Sequence, residues 1–300
     1  MKILFTFPGQ GNQHPGMLAA IPDRQNIMAE ARTVLGDEVD HLDSAAALQH
    51  TRAVQLCLLI TGVAWARELQ RQGVDPDMVS GLSIGAFPAA VLADALDFTD
   101  ALRLVALRGD LMGQAYPHGY GLTAIMGLTL DRVEKLIADS GLYIANLNAE
   151  TQMVIAGRNE EMARVAQLAL KAGASKAQRL AVSVPSHCAL LDKPAAELAK
   201  AFDAITLQRP RCAYLSGSTA RVLWDPLKIA DDLALNMSRT VRWQEAMIAA
   251  DEREARLAIE MPPGGVLTCL TRQAGWHGES ISLERSGVDV ARHLATRLNG

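Results

Sequence analysis

The chain has few aromatic residues, 4% of 300 positions, and no block of Lys or Arg against a formal net charge of −4. Without a basic stripe, nucleic-acid binding is not expected, and the charge is too small to imply disorder. The four cysteines, Cys57, Cys188, Cys212 and Cys269, make no CxxC pair and no zinc spacing. Neither a disulfide framework nor a metal centre is expected, and reduced thiols in a cytoplasmic protein are. The apolar opening MKILFTF is broken by Pro8 and Gly9, too soon for a secretory signal. The longest uncharged stretch, 78–93, falls short of a membrane span and contains Gly81, Gly85 and Pro88. Neither GK[ST] nor GxGxxG occurs, which excludes a P-loop and a dinucleotide fingerprint. Internal repeats and low-complexity segments are also missing.

What the sequence does have is apolar bulk: 49% hydrophobic residues, enough for one large domain or a domain with a smaller insert. Short apolar runs at 3–7, 78–81 and 257–260 predict buried strands. Residues 51–70 predict a helix apolar nearly all round, hence buried. Residues 98–115 predict another, with Thr99 as N-cap. From 119 to 184 the texture changes. Strands are expected at 121–128, 153–157 and 180–184, with amphipathic helices at 131–140 and 160–173. That order suits a small α+β insert with an antiparallel sheet.

Gly81-Leu82-Ser83-Ile84-Gly85 fits G-x-S-x-G, the turn that presents a nucleophilic serine between strand and helix. The glycines let the chain bend sharply, and the N–H of Ile84 at the helix start can stabilise an oxyanion. A serine needs a base. His187, just past an apolar run and Pro185, is the best placed of seven histidines, with His14 its rival. Arg108 falls on the apolar face of its helix: Leu104, Val105, Leu111 and Met112 lie within about 60° of it, and Arg103 about 140° away. A buried guanidinium needs an anion, either an internal carboxylate or one belonging to a substrate. The glycine loop Phe7-Pro8-Gly9-Gln10-Gly11 is either a plain turn or a second source of backbone donors through Gln10.

Together these segments resemble the malonyl-CoA:acyl carrier protein transacylase family. The resemblance rests on FPGQGNQHPGM at 7–17, TRAVQLCLL at 51–59, GLSIG at 81–85, LRGDLM at 107–112, SVPSHCALL at 183–191, TVRW at 240–243 and EMPPGGVLTCL at 260–270. It implies an α/β fold: a hydrolase-like core with a parallel sheet, formed by 1–118 and 185–300, and an inserted ferredoxin-like subdomain, 119–184. It implies that Ser83 is acylated, that His187 activates it and that Gln10 and Ile84 form the oxyanion hole. Arg108 would bind the malonyl carboxylate, with Gln55 and Ser186 beside it. A backbone carbonyl, here at Asn236, would orient the histidine in place of an acid. The substrate would be malonyl-CoA and the acceptor the phosphopantetheine-type thiol of an acyl carrier protein, with no permanently bound cofactor.

The family's elbow usually reads G-H-S-x-G-E, whereas this chain has Leu82 and Ala86. These flanks resemble the branch serving malonate decarboxylase, its epsilon subunit, which charges that complex's dedicated carrier. The alternatives are the transacylase of fatty acid synthesis, a serine thioesterase or esterase, and a non-catalytic scaffold. A hydrolase would need an acid between nucleophile and histidine and no arginine in its acyl pocket.

Overall fold

The computed structural model describes residues 1–299. The chain runs through β1 (Lys2–Phe7), α1 (Arg24–Leu35), α2 (Thr51–Arg71), β2 (Met78–Gly81), α3 (Ala86–Leu92), α4 (Phe98–Ala115), β3 (Tyr120–Met126), α5 (Leu130–Ile137), β4 (Tyr143–Ala149), β5 (Gln152–Arg158), α6 (Asn159–Lys171) and β6 (Lys176–Arg179). It continues with α7 (Asp192–Ala201), β7 (Ala213–Leu215), β8 (Val222–Leu223), α8 (Pro226–Leu235), α9 (Trp243–Asp251), β9 (Ala255–Glu260), α10 (Val266–Gln273), β10 (Glu279–Ser282), α11 (Leu283–Ser286) and α12 (Val288–Asn299).

Six strands form one sheet in the order β10-β9-β1-β2-β7-β8, parallel except for β8. A sheet of this kind is covered on both faces, so its central strands read as continuous apolar runs. In β1, Ile3, Phe5 and Phe7 enter the core under α2, α3 and α4, while Leu4 points the other way to Trp243, Met247 and Leu267. Helix α2 is buried around most of its circumference, as its sequence predicts. Strand order runs outward from β1 in both directions, which leaves the loops at its C-terminal end open as a crevice.

A second, antiparallel sheet has the order β4-β5-β3-β6, with α5 and α6 packed on it. The connectivity β-α-β-β-α-β is the ferredoxin-like pattern. Three expectations need correcting. The strand Tyr143–Ala149 is absent from the sequence reading, because Asn146 and Asn148 interrupt its apolar pattern although both are buried. The closing strand lies at Lys176–Arg179, not at 180–184. It is a polar, mostly exposed edge strand without an apolar signal, and Leu180 and Val182 pack against Leu122 and Val154 from an irregular segment. The N-cap of α4 is Asp97, whose carboxylate accepts from the N–H of Thr99. Among the described residues no helix is long and apolar enough to cross a membrane.

Candidate active site

Strand β2 ends at Gly81, and Ser83 follows with φ 59°, a left-handed conformation costly for a side-chain-bearing residue. A single 3₁₀ turn, Ser83–Gly85, then leads into α3. Both glycines are required by close approach. A Cβ on Gly81 would lie 2.0 Å from the carbonyl carbon of Gly85, and one on Gly85 would lie 2.1 Å from the carbonyl oxygen of Phe7. The elbow is thereby pressed against the end of β1, and Leu82 N–H donates to Phe7 O at 3.0 Å. The loop after β1 lies on the other side: a Cβ on Gly9 would stand 3.7 Å from that of Ser83. The N–H groups of Gln10 and Ile84 have no hydrogen-bond partner among the described residues.

His187 also has positive φ, 65°, and its ring is buried. Nε2 lies 2.9 Å from Ser83 Oγ. Nδ1 faces two backbone carbonyls, Asn236 O at 2.8 Å and Arg239 O at 3.2 Å. A carbonyl can only accept, so Nδ1 carries the proton and Nε2 is left to receive the serine hydroxyl. No carboxylate is needed for that orientation. Burial, helped by the positive charge of Arg108, pushes the His187 pKa down to about 4, against the opposing pull of the two carbonyls. His14, the rival base, is exposed, and among the described residues its ring bonds only to Pro15 O, at 3.2 Å.

Arg108 is completely buried. Nη1 donates to Gln55 Oε1 at 2.8 Å, and Nη2 to Asn236 Oδ1 at 2.9 Å and Ser83 Oγ at 3.3 Å. The Nε–H has no partner among the described residues. Its side-chain partners are neutral oxygens, so the internal-carboxylate option is not the one the fold uses. Burial lowers its pKa to about 9, which still leaves it protonated near neutrality. Gln55 is buried and held in turn by Met112, its Nε2 3.3 Å from Sδ. Ser186 is buried next to His187, with no side-chain hydrogen bond among the described residues.

The match to the acyl transferase domain family covers residues 4–291. The malonyl CoA-acyl carrier protein transacylase of Haemophilus influenzae is 34% identical over 298 residues, 94% of this chain and 95% of that protein. That of Escherichia coli K12 is 36% identical, with 91% and 92% covered. This chain belongs to the malonyl-CoA:acyl carrier protein transacylase family. Its fold matches that of transacylases already solved. The acyl carrier protein S-malonyltransferase of Vibrio cholerae superposes with a TM-score of 0.87 at 36% identity, covering 94% of this chain and 96% of that one. A malonyl-transacylase in complex with the acyl carrier protein of a type II polyketide synthase gives 0.91 at 32% identity, covering 99% and 100%.

Within this transacylase-family site, Ser83, His187, Arg108, Gln55 and Asn236 are joined by direct hydrogen bonds. Three features escaped the sequence reading. Arg239 supplies a second carbonyl to the histidine, and main-chain groups leave no side-chain signature. The Asn236 amide also donates to Ser83 O at 3.3 Å. Finally, Ala86 lines a cavity of about 10 Å³ with Ser83, His187, Asn236 and Asp232, room for about one water.

Proposed function

We propose that the protein is an [acyl-carrier-protein] S-malonyltransferase acting through a malonyl-serine intermediate. The observation that carries this is Arg108: a buried guanidinium, beside the nucleophile, whose side-chain partners are all neutral and whose Nε–H is unpaired. A carboxylate supplied by the acyl group completes it. Ser83 Oγ attacks the thioester carbonyl while its proton passes to His187 Nε2. The oxyanion is met by the N–H groups of Gln10 and Ile84. Collapse expels coenzyme A, whose thiolate takes the proton back from His187. The thiol of the carrier's phosphopantetheine-type arm then reverses these steps. Arg108 binds the malonyl carboxylate, Gln55 holds Arg108 in place, Ser186 lines the acyl pocket, and Asn236 orients His187. The histidine's carbonyl partners, and an arginine with no carboxylate partner among the described residues, favour this over a serine thioesterase or esterase.

The general carrier protein is the better-supported acceptor, because the relatives matched along nearly the whole chain are named as malonyl CoA-acyl carrier protein transacylases. The malonate decarboxylase carrier, placed first by the sequence, rests on Leu82 and Ala86 alone and stands second. We also place the core in 1–118 and 185–300 and the inserted lobe in 119–184, since every strand of the small sheet falls within 120–179. Free cysteines fit a cytoplasmic setting.

Intact-mass analysis after incubation with malonyl-CoA tests the reading: one malonyl adduct, mapped to Ser83, is expected. Challenging that acyl-enzyme with each carrier type ranks the acceptors. No adduct at Ser83 would refute the assignment.

A further inference from the structure

Asp232 is a buried acid that the reaction does not use, 2% exposed on the inward face of α8 with Ile229 and Leu233. Its carboxylate accepts from Tyr214 Oη at 2.8 Å and Ser216 Oγ at 2.6 Å, and also from Ser218 Oγ. All three donors sit at the end of β7 and the turn after it. Ser216 Oγ in turn accepts the N–H groups of Ser218 and Thr219, at 3.2 and 3.0 Å, which fixes that turn. Burial next to Asp232 pushes the Tyr214 pKa well up, so the phenol stays a donor.

A buried carboxylate held by hydroxyls is an expensive way to pin a helix, and an apolar side chain could pack there instead. What it pins is one turn away. The carbonyl of Asp232 accepts the N–H of Asn236 at the end of α8. The Asn236 carbonyl then accepts from His187 Nδ1, its amide oxygen accepts from Arg108, and its amide N–H donates to Ser83 O. A small rotation of α8 would move all three contacts together. Asp232 also borders the cavity that contains Ser83 and His187.

We propose that Asp232 is a positioning residue, locking the last turn of α8 so that Asn236 holds the nucleophile, the base and the arginine in one geometry. The proposal rests on the Ser83–His187 dyad described above, but not on the identity of the acyl group.

The test therefore uses a probe without a carboxylate. Phenylmethanesulfonyl fluoride modifies an activated serine: the Ser83 O–S bond forms, S–F breaks, fluoride departs, and His187 takes the hydroxyl proton. The labelling rate at Ser83, read by intact mass, is compared in wild type, Asp232→Ala, Asp232→Asn and Tyr214→Phe, with folding checked by circular dichroism. Asp232→Ala should slow labelling about tenfold or more, as expected when reacting groups shift. Asp232→Asn should label at the wild-type rate, because hydroxyls can turn to satisfy an amide. Tyr214→Phe, which keeps the ring, should cost about threefold, and it decides the matter should Asp232→Ala fail to fold. Parallel kcat/KM values should show the malonyl-over-acetyl preference falling in Asp232→Ala, since Arg108 loses its anchor. A smaller folded fraction would scale both thioesters equally.

Wild-type labelling in folded Asp232→Ala or in Tyr214→Phe overturns the proposal. So does an equal loss in Asp232→Asn, which would make the charge itself the agent. Labelling of wild-type Ser83 without malonyl transfer would refute the malonyltransferase reading and leave Asp232 to be judged by labelling. No labelling of wild-type Ser83 would remove the dyad and this proposal with it.

Discussion

Two buried charges at the open end of the sheet are treated in opposite ways. Glu260, at the end of β9, is 1% exposed and both its carboxylate oxygens are hydrogen-bonded: it accepts from Leu267 N–H at 3.0 Å, Thr268 N–H at 2.7 Å and Thr268 Oγ1 at 2.7 Å. It caps the start of α10, where an anion is favoured. Burial raises its pKa while these donors oppose the shift. Arg108 is just as buried, with its guanidinium 5.9 Å from the centre of the Phe87 ring, yet its hydrogen-bond acceptors are neutral oxygens and its Nε–H is unpaired among the described residues. A charge completed inside the fold contributes to the fold. A charge left incomplete beside a nucleophile is completed by substrate.

The contrast is sharpened by variants that separate chemistry from stability. The largest effect belongs to Ser83→Ala, which should abolish the acyl adduct while the protein stays folded, because a hydroxyl at a turn adds little stability. An adduct surviving in that variant, found by intact mass, would remove the elbow serine from the reaction. Glu260→Ala should act in the opposite way. Losing a buried cap with three donors should cost about 3 kcal/mol, seen as a lower midpoint in urea, with the malonyl-to-acetyl ratio unchanged. A changed ratio at full stability would mean that Glu260 belongs to the acyl site.

The smallest effect is the pH response. An unperturbed imidazole titrates near neutrality, whereas burial and Arg108 push the His187 pKa down to about 4. The base is the neutral ring, so the acylation rate should be flat across neutrality and fall only as pH drops through the region near 4. Removing Arg108 takes away a positive neighbour, so its alanine variant should lose activity at a higher pH than wild type. A wild-type rate rising through neutrality would contradict the buried, depressed histidine.

Much of this was legible in the chain because local rules and tertiary demands agree. The helix Phe98–Ala115 has the predicted bounds, and Arg108 falls on its buried face as the 3.6-residue period requires. The elbow is readable because its glycines answer a steric need that only glycine meets. The strand Tyr143–Ala149 was hidden by the buried asparagines Asn146 and Asn148, and Lys176–Arg179 by its polar edge position. The sequence points to Thr99 as the cap of α4, whereas the cap is Asp97, whose carboxylate accepts the Thr99 N–H. Asp232 reads as half of an Asp-Asp pair on an ordinary helix. Its meaning depends on Tyr214, Ser216 and Ser218, which no helical period connects to it.

The central claim is that Arg108 reads the acyl carboxylate, and kcat/KM for malonyl-CoA and acetyl-CoA in wild type, Arg108→Ala and Arg108→Lys tests it most directly. Wild type should favour malonyl by about a hundredfold or more, since a buried guanidinium without its anion is penalised as well. Arg108→Ala should lose most malonyl activity and most of that preference. Arg108→Lys should recover only part, because a point charge lacks the planar fork. If Arg108→Ala keeps the malonyl preference of wild type, the carboxylate is bound elsewhere and the unpaired guanidinium is not the recognition element.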